Sequence, residues 1–214
     1  MDSSFDIQRY LKEGWELFIA NAANLVVATI VFLIVQIVAG FVPLGSFLVS
    51  GPMIGGMFYV LLDLRDGKQF NIMRVFDGFK LKLAPLVLVG LLTSLFTMLG
   101  LILLVLPSFL IMGWYLFSFL FVVDEDKDFW PAMEASREIG FKNHLHVFIM
   151  AFVICALNFL GVLAIGIGTL VTIPLSLCFV LKAFEDVRGF AAKAPASGAA
   201  TISVPPPPPP PPAE

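Results

Sequence analysis

An acidic run with alternating spacing is the clearest candidate for chemistry in this sequence. Asp124, Asp126 and Asp128 have the spacing that begins an EF-hand calcium loop. The remainder of that loop is missing, because Phe129 stands at the position that requires glycine and Ala135 at that of the bidentate glutamate. The run therefore predicts a loop followed by the start of a helix, and no metal site.

The histidines and cysteines do not form a catalytic pattern. His144 and His146 point in different directions on a helix, unlike the i, i+4 pair of a zinc site. Cys155 and Cys178 lie at similar depth on the two sides of a predicted turn, and we interpret them as thiols packed between helices. A disulfide or metal pair is the alternative. We assign no catalytic, cofactor-binding or metal-binding residue.

Composition indicates a membrane environment. The chain is 59% hydrophobic and 14% charged, whereas a soluble domain carries about 25% charged residues. Three runs of 46, 41 and 39 residues contain no Asp, Glu, Lys or Arg, namely residues 17–62, 83–123 and 143–181. Each run is about 60 Å of helix, twice the hydrocarbon thickness of about 30 Å. The sequence therefore predicts an all-α integral membrane protein with six transmembrane helices.

The positions of the charges predict the orientation. All charged residues lie in the N-terminal segment, in residues 63–82 and 124–142, and from Lys182 onward. Two predicted spans separate consecutive charged segments, so all four lie on one side of the membrane, which the positive-inside rule makes cytoplasmic. We predict a protein of the plasma membrane, the inner membrane in a bacterium, with both termini in the cytoplasm.

The chain also predicts an internal repeat. Gly14, Gly78 and Gly140 each follow an amphipathic segment and precede an aromatic residue, at spacings of 64 and 62. The charge-free stretches are followed by acidic residues that are 61 apart: Asp63, Asp124 and Glu185. We predict three parallel repeats of an interfacial amphipathic helix plus a helical hairpin, at about residues 5–66, 70–126 and 129–188. They form one membrane domain, residues 1–188.

Basic residues of the cytoplasmic segments are candidates for contact with lipid headgroups, at about 1 kcal/mol each near an anionic surface. They are Arg74, Lys80, Lys82 and Lys142. The alternative is that they contribute only to the positive-inside charge bias.

Glycines, prolines and amides within the spans are candidates for packing. Gly51 and Gly55 form a G-x-x-x-G around Pro52, which permits close helix approach and predicts a kink. Pro107 begins the predicted fourth span and Pro174 lies in the sixth. The strongly polar intramembrane residues are Gln36 and Asn158. Helix breaks that form a transport site are the alternative.

Residues 189–214 differ in composition from the rest. Ala, Gly, Ser and Pro dominate, and residues 205–212 are all proline. This composition predicts a disordered, proline-rich C-terminal tail that ends in polyproline II. The tail either docks on a protein partner with an aromatic-lined groove or serves as a solubilising segment.

Three motifs carry a family resemblance: EGWELF at residues 13–18, GPMIGG at 51–56 and DKDFWPAMEASREIGFKN at 126–143. Over about residues 5–188 the chain resembles a poorly characterised family of bacterial polytopic membrane proteins. That family is similar to the membrane domain of glycerophosphoryl diester phosphodiesterases, and the hydrolase domain is not in this sequence. The resemblance implies the membrane fold and no defined chemistry at named residues.

These features favour a non-catalytic membrane protein that organises lipids or partner proteins at the cytoplasmic face, where the charged residues are concentrated. A small transporter or channel for a neutral or weakly polar solute is the first alternative, since the predicted spans contain no ionisable residue. A lipid-modifying enzyme is the second. We expect membrane lipids as partners, and neither a cofactor nor nucleic acid.

Overall fold

All regular elements are helical in the computed structural model, which describes residues 6–43, 45–103, 105–164 and 167–193. The α-helices are α1 (Ile7–Ala20), α2 (Ala22–Gly40), α3 (Gly45–Arg65), α4 (Asp77–Leu81), α5 (Leu83–Leu103), α6 (Val105–Trp114), α7 (Ser118–Val123), α8 (Phe129–Lys142), α9 (His144–Leu163) and α10 (Thr169–Lys193). The predicted all-helical fold class is thereby confirmed. The proline run at 205–212 lies outside the described residues.

Four helices within the described ranges are long and apolar enough to cross a membrane: α2, α3, α5 and α9. The sequence predicts two further spans, and both differ from a simple apolar helix. Residues of the predicted fourth span form α6 and α7, with a turn at 115–117 between them. The predicted sixth span is the first part of α10. This helix is 25 residues long and also contains the charged residues Lys182, Glu185 and Asp186.

Side chains cap the first two of the amphipathic segments. Asp6 caps α1 by accepting a hydrogen bond from the Arg9 amide at 3.1 Å. The amphipathic segment around Gly78 is a 3₁₀ helix, Ile72–Phe76, followed by α4. The Asn71 side chain caps the 3₁₀ helix by accepting from the Met73 amide at 3.0 Å. A five-residue 3₁₀ segment before α4 places Arg74 beside the end of α3.

The helices differ in burial in a way that separates inner from outer positions. In the most apolar 18-residue stretch of α3, 61% of the residues are buried, compared with less than a third in the same stretch of α2, α5 and α9. Large apolar side chains are exposed along these three outer helices, among them Ile34, Leu95 and Phe159. An exposed apolar surface of this extent fits a lipid environment.

Ser136 of α8 stabilises the break between α6 and α7. Its hydroxyl donates to the Trp114 carbonyl at 2.7 Å and accepts from the Phe117 amide at 3.2 Å. Ser136 is fully buried. A buried helix end needs partners for its backbone groups, and one hydroxyl here satisfies both sides of the turn.

Candidate functional site

The acidic run at residues 124–128 takes part in ion pairs. Asp126 pairs with Lys82 at 2.6 Å, and Asp124 pairs with Arg188. Glu125 lies 2.9 Å from Lys127. Among the described residues, no group of three or more His, Cys, Asp or Glu side chains is arranged to hold a metal ion.

The two cysteines are in different environments. Cys178 is buried and Cys155 is exposed, and both are free thiols. The interpretation of both as thiols packed between helices therefore holds for Cys178 and is wrong for Cys155. His144 and His146 lie in the first turn of α9.

The four candidate headgroup residues have unequal surroundings. Arg74 donates to Asp63 at 2.5 Å and to Asp77 at 2.6 Å, and the Asp63 bond is the largest cause that raises the pKa of Arg74. Lys82 pairs with Asp126, as described above. Lys142 forms an exposed i, i+4 pair with Glu138 at 2.8 Å, and Lys80 is exposed. Exposed pairs are worth little, so Lys80 and Lys142 are the more available for lipid.

The glycines of the G-x-x-x-G element are in close contact with α5. A Cβ at Gly51 would overlap the Leu86 carbonyl, and one at Gly55 would lie 2.5 Å from a Leu86 methyl group. Pro52 is fully enclosed within α3. These contacts are the packing role that the motif predicts.

The remaining candidates within the predicted spans are the two amides, Asn158 and Gln36, and the prolines at 107 and 174. Asn158 of α9 donates to Ser176 of α10 and to its own helix at Ile154, both at 2.8 Å. Gln36 has a buried Oε1 without a hydrogen-bond partner among the described residues. Pro174 lies inside α10, and α6 begins at Val105, two residues before position 107.

A pocket of about 220 Å³ lies where α8 meets α5 and the α6–α7 turn. Phe96, Tyr115, Trp130, Met133, Glu134 and Arg137 line it. The Phe96 and Tyr115 ring centroids are 5.6 Å apart. Aromatic faces next to a carboxylate attract an ammonium group, and a guanidinium binds phosphate. The lining therefore has the chemistry to accept a zwitterionic lipid headgroup.

Glu134 and Arg137 hold each other in place at the mouth of this pocket. Arg137 Nε donates to Glu134 Oε2 at 3.0 Å, and this pairing lowers the pKa of Glu134 from its ordinary value. The bidentate pair uses Nε and Nη2 of Arg137 and leaves Nη1 as a further donor. Sequence reasoning missed this pocket. Its only signal was the i, i+3 pair that follows Trp130 on the polar side of α8.

Comparisons with protein-family models, curated proteins and solved structures gave no match. The resemblance to the bacterial membrane family therefore stays a prediction.

Proposed function

We propose that this chain is a non-catalytic integral membrane protein that organises lipids or partner proteins at the cytoplasmic face of the plasma membrane. In this proposal it has six spans, built from three parallel repeats, with both termini in the cytoplasm. The repeats place three amphipathic segments at one interface, and these segments contact the lipid headgroups.

The burial pattern supports the three repeats. Leu25, Leu86 and Val147 are spaced by 61 residues and are fully buried in α2, α5 and α9. Three residues further on, the same spacing relates another buried set: Ala28, Val89 and Met150. A common period in buried positions is expected when equivalent helices pack in equivalent surroundings. The two shorter apolar segments, α6–α7 and the first part of α10, then complete the six spans.

Exposed apolar side chains at, or just before, the start of each outer helix carry the functional proposal. Ile19, Leu83 and Leu145 each lie five residues after a repeat glycine and are 56%, 48% and 58% exposed. Trp15 and Trp130 are also exposed on the amphipathic helices. Apolar and indole groups beside charged residues are typical of the bilayer interface. The α8 pocket, with Glu134 and Arg137, adds a place for one headgroup.

The proposal is tested by the lipids that accompany the protein. The full chain is extracted into polymer-bounded native nanodiscs without detergent, and mass spectrometry compares its lipids with the bulk membrane. We expect enrichment of at least one phospholipid class in the wild-type protein. Arg137→Gln should reduce this enrichment because it removes the phosphate donor of the pocket. Lys12→Gln, the same charge change at an exposed residue of α1 outside the pocket, should retain the part of the enrichment that depends on the pocket.

A version that stops after Lys193 separates the lipid role from the partner role, because it leaves α10 whole. A protein that co-purifies in equal amounts with the full chain and is absent from the shortened chain supports a partner held by the proline tail. The proposed function would be refuted if both versions carried lipids in the same proportions as the bulk membrane and no protein co-purified with either.

A further inference from the structure

A half-open cavity of about 200 Å³ lies among α3, α7 and α10, which belong to the second halves of the three proposed hairpins, and α5, α6 and α9 also line it. Phe58 of α3, Phe119 of α7 and Val180 of α10 line it, and they are 61 residues apart. A second set at the same spacing also lines it: Ile54, Tyr115 and Ser176. The cavity therefore lies on the axis that relates the three proposed repeats.

The charged end of the bundle is closed beneath this cavity. Leu61, Val122 and Ala183 lie three residues beyond the first set, and none of them is exposed. Ion pairs follow at the helix ends, where Arg65 lies 3.6 Å from Glu185 and Arg188 pairs with Asp124. A packed apolar layer and a charged layer thus separate the cavity from the side of the protein that carries the charges.

Among the described residues, the lining includes one fully buried polar atom that lacks a partner. Thr93 lines it, and Thr93 Oγ1 is buried without a hydrogen-bond partner among the described residues. Ser176 Oγ is already satisfied, because it donates to the Thr172 carbonyl at 2.7 Å and accepts from Asn158 at 2.8 Å. A buried hydroxyl without a partner is costly, and an acceptor on a bound molecule would satisfy it.

Water is a poor occupant of this space. A buried water needs about two to four polar partners, and the lining of this cavity is almost entirely apolar. No charged side chain is among the described residues that line this cavity. Its size and lining match an uncharged ring-sized molecule with a single acceptor.

We propose that the axial cavity is a binding site for a small, uncharged, mostly apolar molecule, about the size of a six-membered ring, whose one hydrogen-bond acceptor faces Thr93. The site is independent of the lipid contacts proposed for the cytoplasmic face.

Two ring-sized probes test the site on the full chain in nanodiscs of fixed lipid composition. Cyclohexanone has one acceptor, and methylcyclohexane has a similar shape and none. Headspace gas chromatography measures the uptake of each, and empty nanodiscs give the part that dissolves in lipid. We expect a saturable excess of cyclohexanone that corresponds to one site per chain. Thr93→Val should weaken cyclohexanone binding about five-fold, the effect of one hydrogen bond, and should leave methylcyclohexane unchanged.

A filled cavity gives the second readout. Val180→Phe completes a ring with Phe58 and Phe119 and should abolish the excess. Val171→Phe, on the exposed surface of the same helix, should retain it. No saturable excess in the wild-type protein would overturn the proposal, as would equal uptake by Val180→Phe. A lipid that co-purifies with the wild-type protein, blocks probe uptake and is lost in Val180→Phe would also overturn it, because the occupant would then be an acyl chain.

Discussion

Gly78 in α4 lies against the carbonyl group of Pro52 in α3, so closely that a Cβ at Gly78 would overlap the oxygen. The other two repeat glycines make equivalent contacts. A Cβ at Gly140 would lie 2.6 Å from the Trp114 Cα, and one at Gly14 would lie 2.5 Å from the Phe179 ring. Gly78 thus lies against α3, Gly140 against α6 and Gly14 against α10, and in the proposed repeats these three contacts close a ring. Glycine permits this approach because it has no side chain.

Alanine at Gly78 should therefore destabilise the protein. The added methyl group meets backbone atoms that cannot move independently, and overpacking of this kind costs about 1–3 kcal/mol. Gly140→Ala should behave similarly, whereas Gly14→Ala should cost less because its nearest neighbour is the edge of the Phe179 ring. Thermal unfolding of the purified protein measures the order.

Gly40→Ala is the matched control for this series. A Cβ there would be at an ordinary contact distance, 3.5 Å from Ser46 Oγ. In a helix, alanine is favoured over glycine by about 1 kcal/mol, so this variant should not lose stability. A loss equal to that of Gly78→Ala would argue against close packing as the cause.

We expect Arg74 to stabilise the fold and not to bind lipid. Arg74→Gln leaves Asp63 and Asp77 without their guanidinium, and a hydrogen bond to a charged group contributes about 1.5–3 kcal/mol. We expect lower stability and faster amide exchange in residues 68–77. Lys80→Gln should leave stability unchanged but lower the content of anionic lipid in native nanodiscs. The reverse pattern, with lipid lost only in Arg74→Gln, would contradict this assignment.

Much of the architecture follows from simple features of the sequence. The charge-free runs locate the long apolar helices α2, α3, α5 and α9, because a membrane span requires a minimum apolar length. The glycine spacing locates the amphipathic segments, since Gly14, Gly78 and Gly140 all lie at helix contacts. These features are local or periodic, so they can be recognised in the sequence without knowledge of the packing.

Other features depend on tertiary contacts and could not be predicted in this way. Residues 115–117 carry no helix-breaking residue, yet the helix is interrupted there, and the partner of the break is Ser136 of α8, which is 19 residues further along the chain. The pocket at Trp130 requires Phe96 and Tyr115 to come from two other helices. The internal pairing of Arg74 depends on a 3₁₀ segment that hydrophobic periodicity cannot distinguish from an α-helix.

Ser136→Ala should weaken the junction between α8 and the break. It removes the only side-chain partner described for the buried Phe117 amide, and an unsatisfied buried donor costs about 1–3 kcal/mol. Ser50→Ala is the control, because the one hydrogen bond that the described residues give the Ser50 hydroxyl is to the Phe47 carbonyl of its own helix. Equal unfolding temperatures for the two variants would show that the hydroxyl does not stabilise the break.

Equivalent positions of the repeats should respond alike to truncation. Leu25→Ala and Leu86→Ala each remove a fully buried side chain, and such changes cost about 2–5 kcal/mol. Leu95→Ala, on the exposed side of α5, should change stability by no more than about 0.5 kcal/mol. Unfolding titrations in mixed micelles compare the three. A large loss in only one of the buried variants would weaken the case for equivalent repeats.

Tyr10 should make the attachment of α1 sensitive to alkaline pH. Its hydroxyl donates to Asp186 at 2.5 Å, and burial, followed by this hydrogen bond, raises its pKa above the ordinary value of 10.0. The unfolded chain loses this proton near pH 10 while the folded chain retains it. The stabilisation is therefore complete below about pH 10 and is lost as the pH rises through the folded-state pKa.

Tyr10→Phe tests this directly, because phenylalanine fills the same space without a proton to lose. The difference in tyrosinate absorbance between wild type and variant isolates Tyr10 from Tyr59 and Tyr115, and its midpoint should lie above pH 10. Stability measured at rising pH should fall more steeply in the wild-type protein than in the variant, because a tyrosinate beside Asp186 places two negative charges at the contact between α1 and α10. Arg9, which also pairs with Asp186, is retained in both proteins, so it does not account for the difference. Parallel pH profiles would show that the Tyr10 proton does not hold α1 in place.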